Sequence, residues 1–573
     1  MNTFLELKQK AKCQPIDLQN SIKIGIVGDS ATQFLALGLK GCSAFNSISV
    51  DMFEADYNEI ELQLFNPNSA LHKFEPSVVI FFNSVESLKL EFQQIDLLHK
   101  KAFAKNKLDF IKSILENNPS YKFIYYNYPL RFDSVYGNYA LKNESSFAYQ
   151  IYKLNMLLNE FATKCGNLFI CDLQAIENEI GHNSFFESSI YVNTEMVLSM
   201  DSIPIISERT VDIIKAIKGR IKKCLILDLD NTLWGGIIGD DGISGIQIGH
   251  GIGIGKVYSE IQLWAKSLKE RGIILTVCSK NNEEIAKEVF EKHPEMVLKL
   301  DDFAIFLANW NSKVDNIKII QQNLNIGFDS MVFLDDSKFE RNSVRYELPD
   351  ICVPELPEDP AEWIDFLTSL NLFETATYSE ADSDRTKQYQ IEFSRKESAK
   401  NFNTESDYLE SLNMVSKVEN FNDFNIPRVA QLSQRSNQFN LRTIRYTEDE
   451  LKKIASDNNN YMTLAFSLKD KFGDNGLISA LIGEKIDGET LFISTFFMSC
   501  RVLNRGMEEF IFNTLIRSAK ENKIKFIKAE YIPTKKNAMV ADLYSKYGFE
   551  KKENLFYIDV DNYTNKVCYI KGE

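Results

Sequence analysis

The sequence predicts an α/β chain of several domains, and three observations predict it. Short apolar runs alternate with helical stretches from the start of the chain to about residue 372. Two of these runs, Cys224–Leu227 and Met331–Leu334, end directly in aspartates, as strands do when their carboxyl ends form a ligand crevice. From about residue 407 the pattern changes to longer alternating runs, the signature of a meander of strands. A length of 573 residues allows roughly three or four domains.

Taken in order, residues 1–218 read as one α/β domain. Ile22–Val27 is a strand, Gly28-Asp29-Ser30 turns out of it, and Gln33–Lys40 is helical in pattern. Val78–Phe82 and Phe123–Tyr126 are further buried strands, with helical stretches over 92–117 and 145–164 between and after them. Strand, helix, strand, helix implies a parallel sheet with covered faces. Arg209–Lys222 is a basic, helix-like connector.

The stretch Cys224-Leu-Ile-Leu-Asp228-Leu-Asp230-Asn-Thr-Leu-Trp-Gly-Gly236 opens a second domain, residues 219–372. Extended backbone alternates its side chains, so Asp228 and Asp230 point to one side. Two carboxylates that close invite a divalent cation. Ile273–Ser279 is a strand ending in a small hydroxyl residue, and Met331–Leu334 leads into Asp335 and Asp336. Asp240-Asp241-Gly242 reads as a hairpin turn, and the glycines from 245 to 255 as a flap. Val353–Pro360 is proline-rich and acidic, the exit from this core. Residues 373–406 are charged and helical in pattern and are expected to be a linker. Residues 407–573 form the last domain, with strands over 461–468, 476–483 and 491–498, and a helix opening after Arg501-Val-Leu-Asn504-Arg505-Gly506.

Bulk properties exclude several classes. The composition, 44% hydrophobic and 25% charged, is ordinary globular material. No apolar run approaches the ~18 residues of a membrane span, so no membrane partner is expected. Met1–Lys12 lacks the apolar core of a signal peptide. Nine cysteines without a spacing pattern suggest reduced thiols, and with the preceding points a cytoplasmic location. A net charge of −15 argues against a nucleic-acid binder.

The paired aspartates and the motifs after them carry a resemblance. The order LDLDNT, a strand ending in Ser279, Lys313 in Asn309-Trp-Asn-Ser-Lys313, and a strand ending in Asp335-Asp336 is that of the haloacid dehalogenase (HAD) superfamily. The continuation LDLDNTLWGGIIGDDG is similar to the FkbH-like, subfamily IIIC proteins. The resemblance implies a central HAD-like Rossmannoid domain with Asp228 as nucleophile, Asp230 as general acid and base, Ser279 and Lys313 on the phosphoryl group, and Asn281 in substrate binding. It implies Mg²⁺ held by Asp228, Asp230 and Asp335, with Asp336 behind them. It also implies an acyl phosphate substrate such as 1,3-bisphosphoglycerate, whose acyl group passes to an acyl carrier protein. Cys278, beside Ser279, is a candidate acyl carrier, although alternation turns it away if Ser279 faces the phosphate.

The N-terminal domain resembles an SGNH/flavodoxin-like fold. Ser30 and Asn83 sit where an SGNH nucleophile and oxyanion-hole residue would, but the late D-x-x-H is missing, so a fold without hydrolase activity is expected. The C-terminal domain resembles the GNAT acyltransferases, an α+β fold. That likeness implies a pyrophosphate loop for coenzyme A or carrier-protein phosphopantetheine with Arg501, Arg505 and Gly506. It further implies a binding role for Asn537 and a general acid at Tyr544. Asn504 replaces the loop's middle glycine, and Asn can adopt the left-handed conformation required there. Three functions remain open: acyl transfer from an acyl phosphate, a HAD phosphatase fused to an acyltransferase in glycan or natural-product synthesis, and a non-catalytic carrier-protein docking module.

Overall fold

The computed structural model describes residues 2–13, 21–251, 253–378, 385–399 and 402–573. Residues 379–384, in the expected linker, and Ile252, in the expected flap, lie outside the described residues. The chain divides into two compact units, 1–216 and 217–573.

The first unit is a five-stranded, all-parallel sheet. Its strands are β1 (Ile22–Gly28), β2 (Val50–Glu54), β3 (Val78–Phe82), β4 (Lys122–Tyr126) and β5 (Leu168–Cys171), in the order β2-β1-β3-β4-β5. This is the flavodoxin-like order, whose crevice lies between β1 and β3. Helices α1 (Gln33–Phe45), α2 (Phe103–Asn117) and α3 (Phe147–Ala162) lie between strands. All five residues of β3 are buried, as parallel strands covered on both faces require. The helix expected over 92–117 is two helices, because Ile95 leaves the first in an extended conformation and α2 starts only at Phe103.

The second unit holds two sheets. In the first, β6 (Cys224–Leu227), β7 (Ile274–Ser279), β8 (Phe303–Ala308) and β9 (Met331–Leu334) run parallel in the order β8-β7-β6-β9. β6 and β9 are buried throughout and lie side by side, which brings the acids after each strand together. Between strands run α4 (Ile238–Gly245), α5 (Gly255–Glu270) and α6 (Lys313–Leu324), and α7 (Lys338–Glu347) follows β9. The hairpin expected at Asp240-Asp241-Gly242 is the helix α4 instead, broken at Gly242 with φ 66°. The Asp241 carboxylate accepts the Ile237 N–H at 2.8 Å and so holds the first turn.

The second sheet has nine strands: β10 (Val415–Ser416), β11 (Val418–Glu419), β12 (Tyr461–Asp470), β13 (Gly473–Lys485), β14 (Thr490–Met498), β15 (Phe526–Glu530), β16 (Glu550–Lys552), β17 (Leu555–Asp559) and β18 (Lys571–Gly572). β12, β13 and β14 are antiparallel, and β14 pairs in parallel with β15. The expected linker is the main departure. It contains α8 (Arg385–Ala399), which docks between the two sheets rather than hanging free. Tyr389 is buried against Ile274 and Ala304, and Gln390 donates to the Asp301 and Phe303 carbonyls at 3.1 and 2.9 Å. Arg395 is 2% exposed and bonds the buried Asp470 at 2.9 Å. Two charged residues of this stretch, Glu392 and Arg395, therefore enter a buried ion network with Asp470 and Arg505. β14 and β15 are joined through α9 (Met507–Glu521).

Candidate active site

Asp228 and Asp335 follow adjacent parallel strands, and their side chains converge. Together with Asp336 they bring three carboxylate oxygens within 4.8 Å of one another. Lys313, the first residue of α6, lies beneath them, 4% exposed. Its ammonium is 3.0 Å from Asp228 and in direct contact with Asp335. Burial would lower the Lys313 pKa, but the Asp228 and Asp335 carboxylates outweigh it and hold the ammonium protonated. Burial, with the Asp228 charge beside it, raises Asp335 to about 7, and the same causes raise Asp336. Three acids around one ammonium leave the cluster short of positive charge. The Oδ1 of Asp228 is buried and has no hydrogen-bond partner.

Asp230 sits at the edge of this cluster under close control. Its Oδ1 accepts the Trp234 indole N–H at 2.9 Å and the Ile238 N–H at 3.1 Å, and its Oδ2 accepts the Asn281 amide at 2.9 Å. Burial raises its pKa. Asn231, with φ 53°, turns the chain sharply after it and accepts the Gly236 N–H at 2.9 Å. Trp234 is fully buried and packs edge-on to Phe290, so the residue that orients Asp230 is itself fixed in the core. The sequence offered Trp234 as part of a motif but gave no sign of this indole bond. Arg341 is likewise a positioning residue: it donates to the main-chain carbonyls of Asp335 and Asp336 at 2.8 and 2.7 Å and to Glu355 at 2.8 Å. Thr232 accepts the Asp336 N–H at 3.2 Å. Ser279 is buried at the end of β7, next to β6.

Cys278 does not join the site chemistry. It is fully buried with Cys224, Ile226 and Val314, and its thiol donates to the Lys313 carbonyl at 3.6 Å. Burial pushes its pKa far above the ordinary thiol range, so it stays protonated and enclosed.

The residues assigned to an acyltransferase site fare unevenly. Asn504 and Gly506 both adopt the left-handed conformation, with φ 60° and 73°, and α9 starts directly after them. Arg505 is not available to an anion, because Glu392 of α8 and Asp470 of β12 neutralise it in the interior. Tyr544 is 1% exposed among Phe512, Phe549 and Phe556, with an unpartnered hydroxyl whose pKa burial raises far beyond use as an acid. Asn537 is fully buried and ties its own loop, donating to Asn440 and Ile532 carbonyls at 2.9 and 3.0 Å and accepting the Thr534 N–H at 2.7 Å. Arg501 lines a cavity between the two sheets of this unit.

In the first unit, Asp29 is buried and accepts from the Asn83 amide and the Ser84 N–H, both at 2.9 Å. Asn83 thus serves Asp29. The Ser30 hydroxyl is buried without a hydrogen-bond partner, and His182 bonds Glu177 at 2.8 Å.

Residues 23–215 match the FkbH N-terminal domain family. The crystal structure of the N-terminal part of the protein BF1531 from Bacteroides fragilis contains a phosphatase domain complexed with Mg. It is 51% identical, with a TM-score of 0.64, over 66% of this chain and 100% of that one. The chain belongs to the family of that protein. The ribosomal-protein-S18-alanine N-acetyltransferase of Escherichia coli is 12% identical over 27% of this chain and 99% of that one, with a TM-score of 0.21. The spermidine N-acetyltransferase of Vibrio cholerae is 14% identical over 26% and 97%, also with a TM-score of 0.21. No curated protein matches. No helix among the described residues is long and apolar enough to cross a membrane.

Proposed function

We propose that the chain is a Mg²⁺-dependent, HAD-type enzyme that processes a phosphorylated small molecule at Asp228. The observation that carries this reading is the charge deficit of the cluster: three acids, one ammonium, and a buried Asp228 oxygen without a partner. Oxygen-only donors at this spacing fit magnesium. Asp228 and Asp335 would hold it, with the Asp230 main-chain carbonyl and with Asp336 alongside. Bound there, Mg²⁺ would offset phosphoryl charge and keep the nucleophile ionised.

The chain's own residues then divide the work. The Asp228 carboxylate attacks phosphorus and the bond from phosphorus to the leaving oxygen breaks. Asp230, its pKa raised, gives that oxygen a proton and later takes one from the water that cleaves the aspartyl phosphate. Trp234, Ile238 and Asn281 fix where that proton is delivered. Lys313 and Ser279 hold the phosphoryl oxygens, Lys313 as the fixed positive charge.

The substrate class is an acyl phosphate, 1,3-bisphosphoglycerate being the compound that the FkbH resemblance implies. Acyl transfer replaces the attack of Asp228 on phosphorus: the phosphopantetheine thiolate of an acyl carrier protein attacks the acyl carbon, a C–S bond forms as the bond from carbon to the phosphate oxygen breaks, and inorganic phosphate leaves, with Lys313 and Ser279 holding its oxygens. The match to the FkbH domain over 23–215 supports this reading. The GNAT-like domain would pass or receive the acyl group, with coenzyme A or phosphopantetheine as its carrier. One observation favours a second reading, a phosphatase joined to an acyltransferase-like domain: Cys278, the candidate acyl carrier beside Ser279, is enclosed and protonated. The test is mass spectrometry of the chain with 1,3-bisphosphoglycerate, Mg²⁺ and a carrier protein. A glyceryl mass on the carrier's phosphopantetheine is expected. Phosphate release with an unmodified carrier overturns acyl transfer in favour of the phosphatase, and neither product overturns both.

A further inference from the structure

An ion pair that the proposed chemistry does not use spans the mouth of the carboxylate cluster. Lys280 is the first residue after β7, and Glu340 is in the first turn of α7, which follows β9. β7 and β9 flank β6 on either side, so their ends lie about 10 Å apart. The Lys280 ammonium meets the Glu340 carboxylate at 2.6 Å. The pair therefore bridges that span at the end of β6, where Asp228 leaves the strand. Lys280 keeps 39% of its side chain exposed and Lys313 only 4%, so the pair lies outside the cluster. Its neighbours in the chain both belong to the site: Ser279 is buried before it, and Asn281 after it donates to Asp230.

Charge gives this position its meaning. Lys313 is committed to Asp228 and Asp335, and Arg341 to the main-chain carbonyls of Asp335 and Asp336 and to Glu355. A substrate whose phosphoryl group enters the cluster brings any second negative charge close to these acids. That charge is repelled unless a cation meets it outside. Lys280 stands where such a cation is needed. A part-exposed ion pair holds its partners weakly, and the long lysine stem lets the ammonium change acceptor.

We propose that Lys280 binds a second anionic group on the carbon skeleton of the substrate, and that Glu340 holds the ammonium in place until the substrate arrives. The assignment rests on the reading of the Asp228 cluster as a phosphoryl site. It narrows the substrate from any phosphorylated small molecule to one that carries a further negative group. Lys280 is then a specificity residue: it selects the molecule, and the residues inside the cluster act on the phosphoryl group.

Competition against the hydrolysis of acetyl phosphate, which has no second anion, tests this on the full chain in Mg²⁺. The competitors are glycerol 3-phosphate and 3-phosphoglycerate, which differ only in that a carboxylate replaces a hydroxymethyl group. 3-Phosphoglycerate should inhibit about tenfold more strongly, as a charge-assisted bond to Lys280 requires. Lys280→Gln should remove that difference, and Glu340→Gln should widen it by roughly threefold. Lys338→Gln, at an exposed lysine outside the pair, should leave it unchanged. A second readout needs no turnover: in Asp228→Asn, amine labelling of Lys280, read by peptide mass spectrometry, should be slowed by 3-phosphoglycerate and not by glycerol 3-phosphate. Equal inhibition by the two competitors, a difference that survives in Lys280→Gln, or equal protection of Lys280 would overturn the assignment and leave the phosphoryl reading standing. Acetyl phosphate left intact in Mg²⁺ would overturn the phosphoryl reading, and this assignment with it.

Discussion

Replacing Lys313 with Met isolates the charge balance on which the proposed chemistry rests. The ammonium stands 3.0 Å from Asp228 and in contact with Asp335, both buried. At that separation the attraction is about 5–6 kcal/mol at an effective dielectric of ~20, before the cost of burying the ammonium. Breaking a buried pair by removing one partner costs about 3–5 kcal/mol, because the charges left behind have no compensation. Spread over a unit of some 360 residues, whose unfolding entropy is about 2 cal/mol/K per residue, that is a fall of roughly 4–7 °C in Tm.

A bound dication changes the outcome, since it supplies the positive charge that the variant lacks. In saturating Mg²⁺ the variant should therefore gain more stability than the wild type, by mass action on a more negative site. Thermal unfolding of both proteins, in chelator and in saturating Mg²⁺, measures this directly. The gap between them should be wide in chelator and should close by about half or more with metal. A gap indifferent to metal, or a variant as stable as the wild type in chelator, would refute the reasoning. Phosphate release should be lost by roughly 10²–10³-fold even in Mg²⁺, because a methionine cannot stabilise phosphoryl charge.

Three further outcomes rest on the same geometry. Asp228→Asn should abolish phosphate release by several orders of magnitude from alkyl and acyl phosphates alike, and chelator should do the same to the wild type; undiminished activity in either case would remove the mechanism. Asp230→Asn should cost an alkyl phosphate roughly 10²–10⁴-fold and an acyl phosphate far less, because a carboxylate leaves without a proton; equal losses, read by phosphate release from both substrate types, would argue against an acyl phosphate as the natural class. Burial raises Asp29 from 3.8 to about 6, so the folded first unit keeps this proton where the unfolded chain has lost it. Its stability should be greatest below pH ~4 and should fall by up to about 3 kcal/mol as pH rises to about 6. Hydrogen exchange of the 22–28 peptide as a function of pH should show that fall, and Asp29→Asn should flatten it.

The carboxylate cluster was legible because parallel strands buried on both faces read as bare apolar runs, and the acids after them mark the strand ends. Cys224–Leu227 and Met331–Leu334 are strands at those bounds, and their pairing places Asp228 beside Asp335. Asn504 was legible for a local reason too, since left-handed backbone depends on the residue itself. What escaped the sequence depends on distant partners. Nothing local distinguishes a buried Tyr544 from an accessible one, or shows that Asn537 spends its amide on Asn440. The charged stretch containing α8 looked like a solvated linker because its partners, Asp470 and Arg505, lie far along the chain.

Arg501 and Arg505 show why a string of residues underdetermines an anion site. They stand four residues apart in one loop, and each has the charge an anion would want. α8 brings Glu392 to Arg505, and β12 brings Asp470, so that arginine enters the interior already neutralised. Among the described residues no acid pairs with Arg501, which keeps a buried N–H without a partner, and its neighbours across the cavity are Lys223 and Lys536. A ligand that took hold of Arg505 would have to displace two carboxylates from the interior. One that took hold of Arg501 would meet a guanidinium that still has a buried N–H to donate. The capacity to bind is therefore set by where the acids go, and α8, the segment that looked least functional in the sequence, decides it.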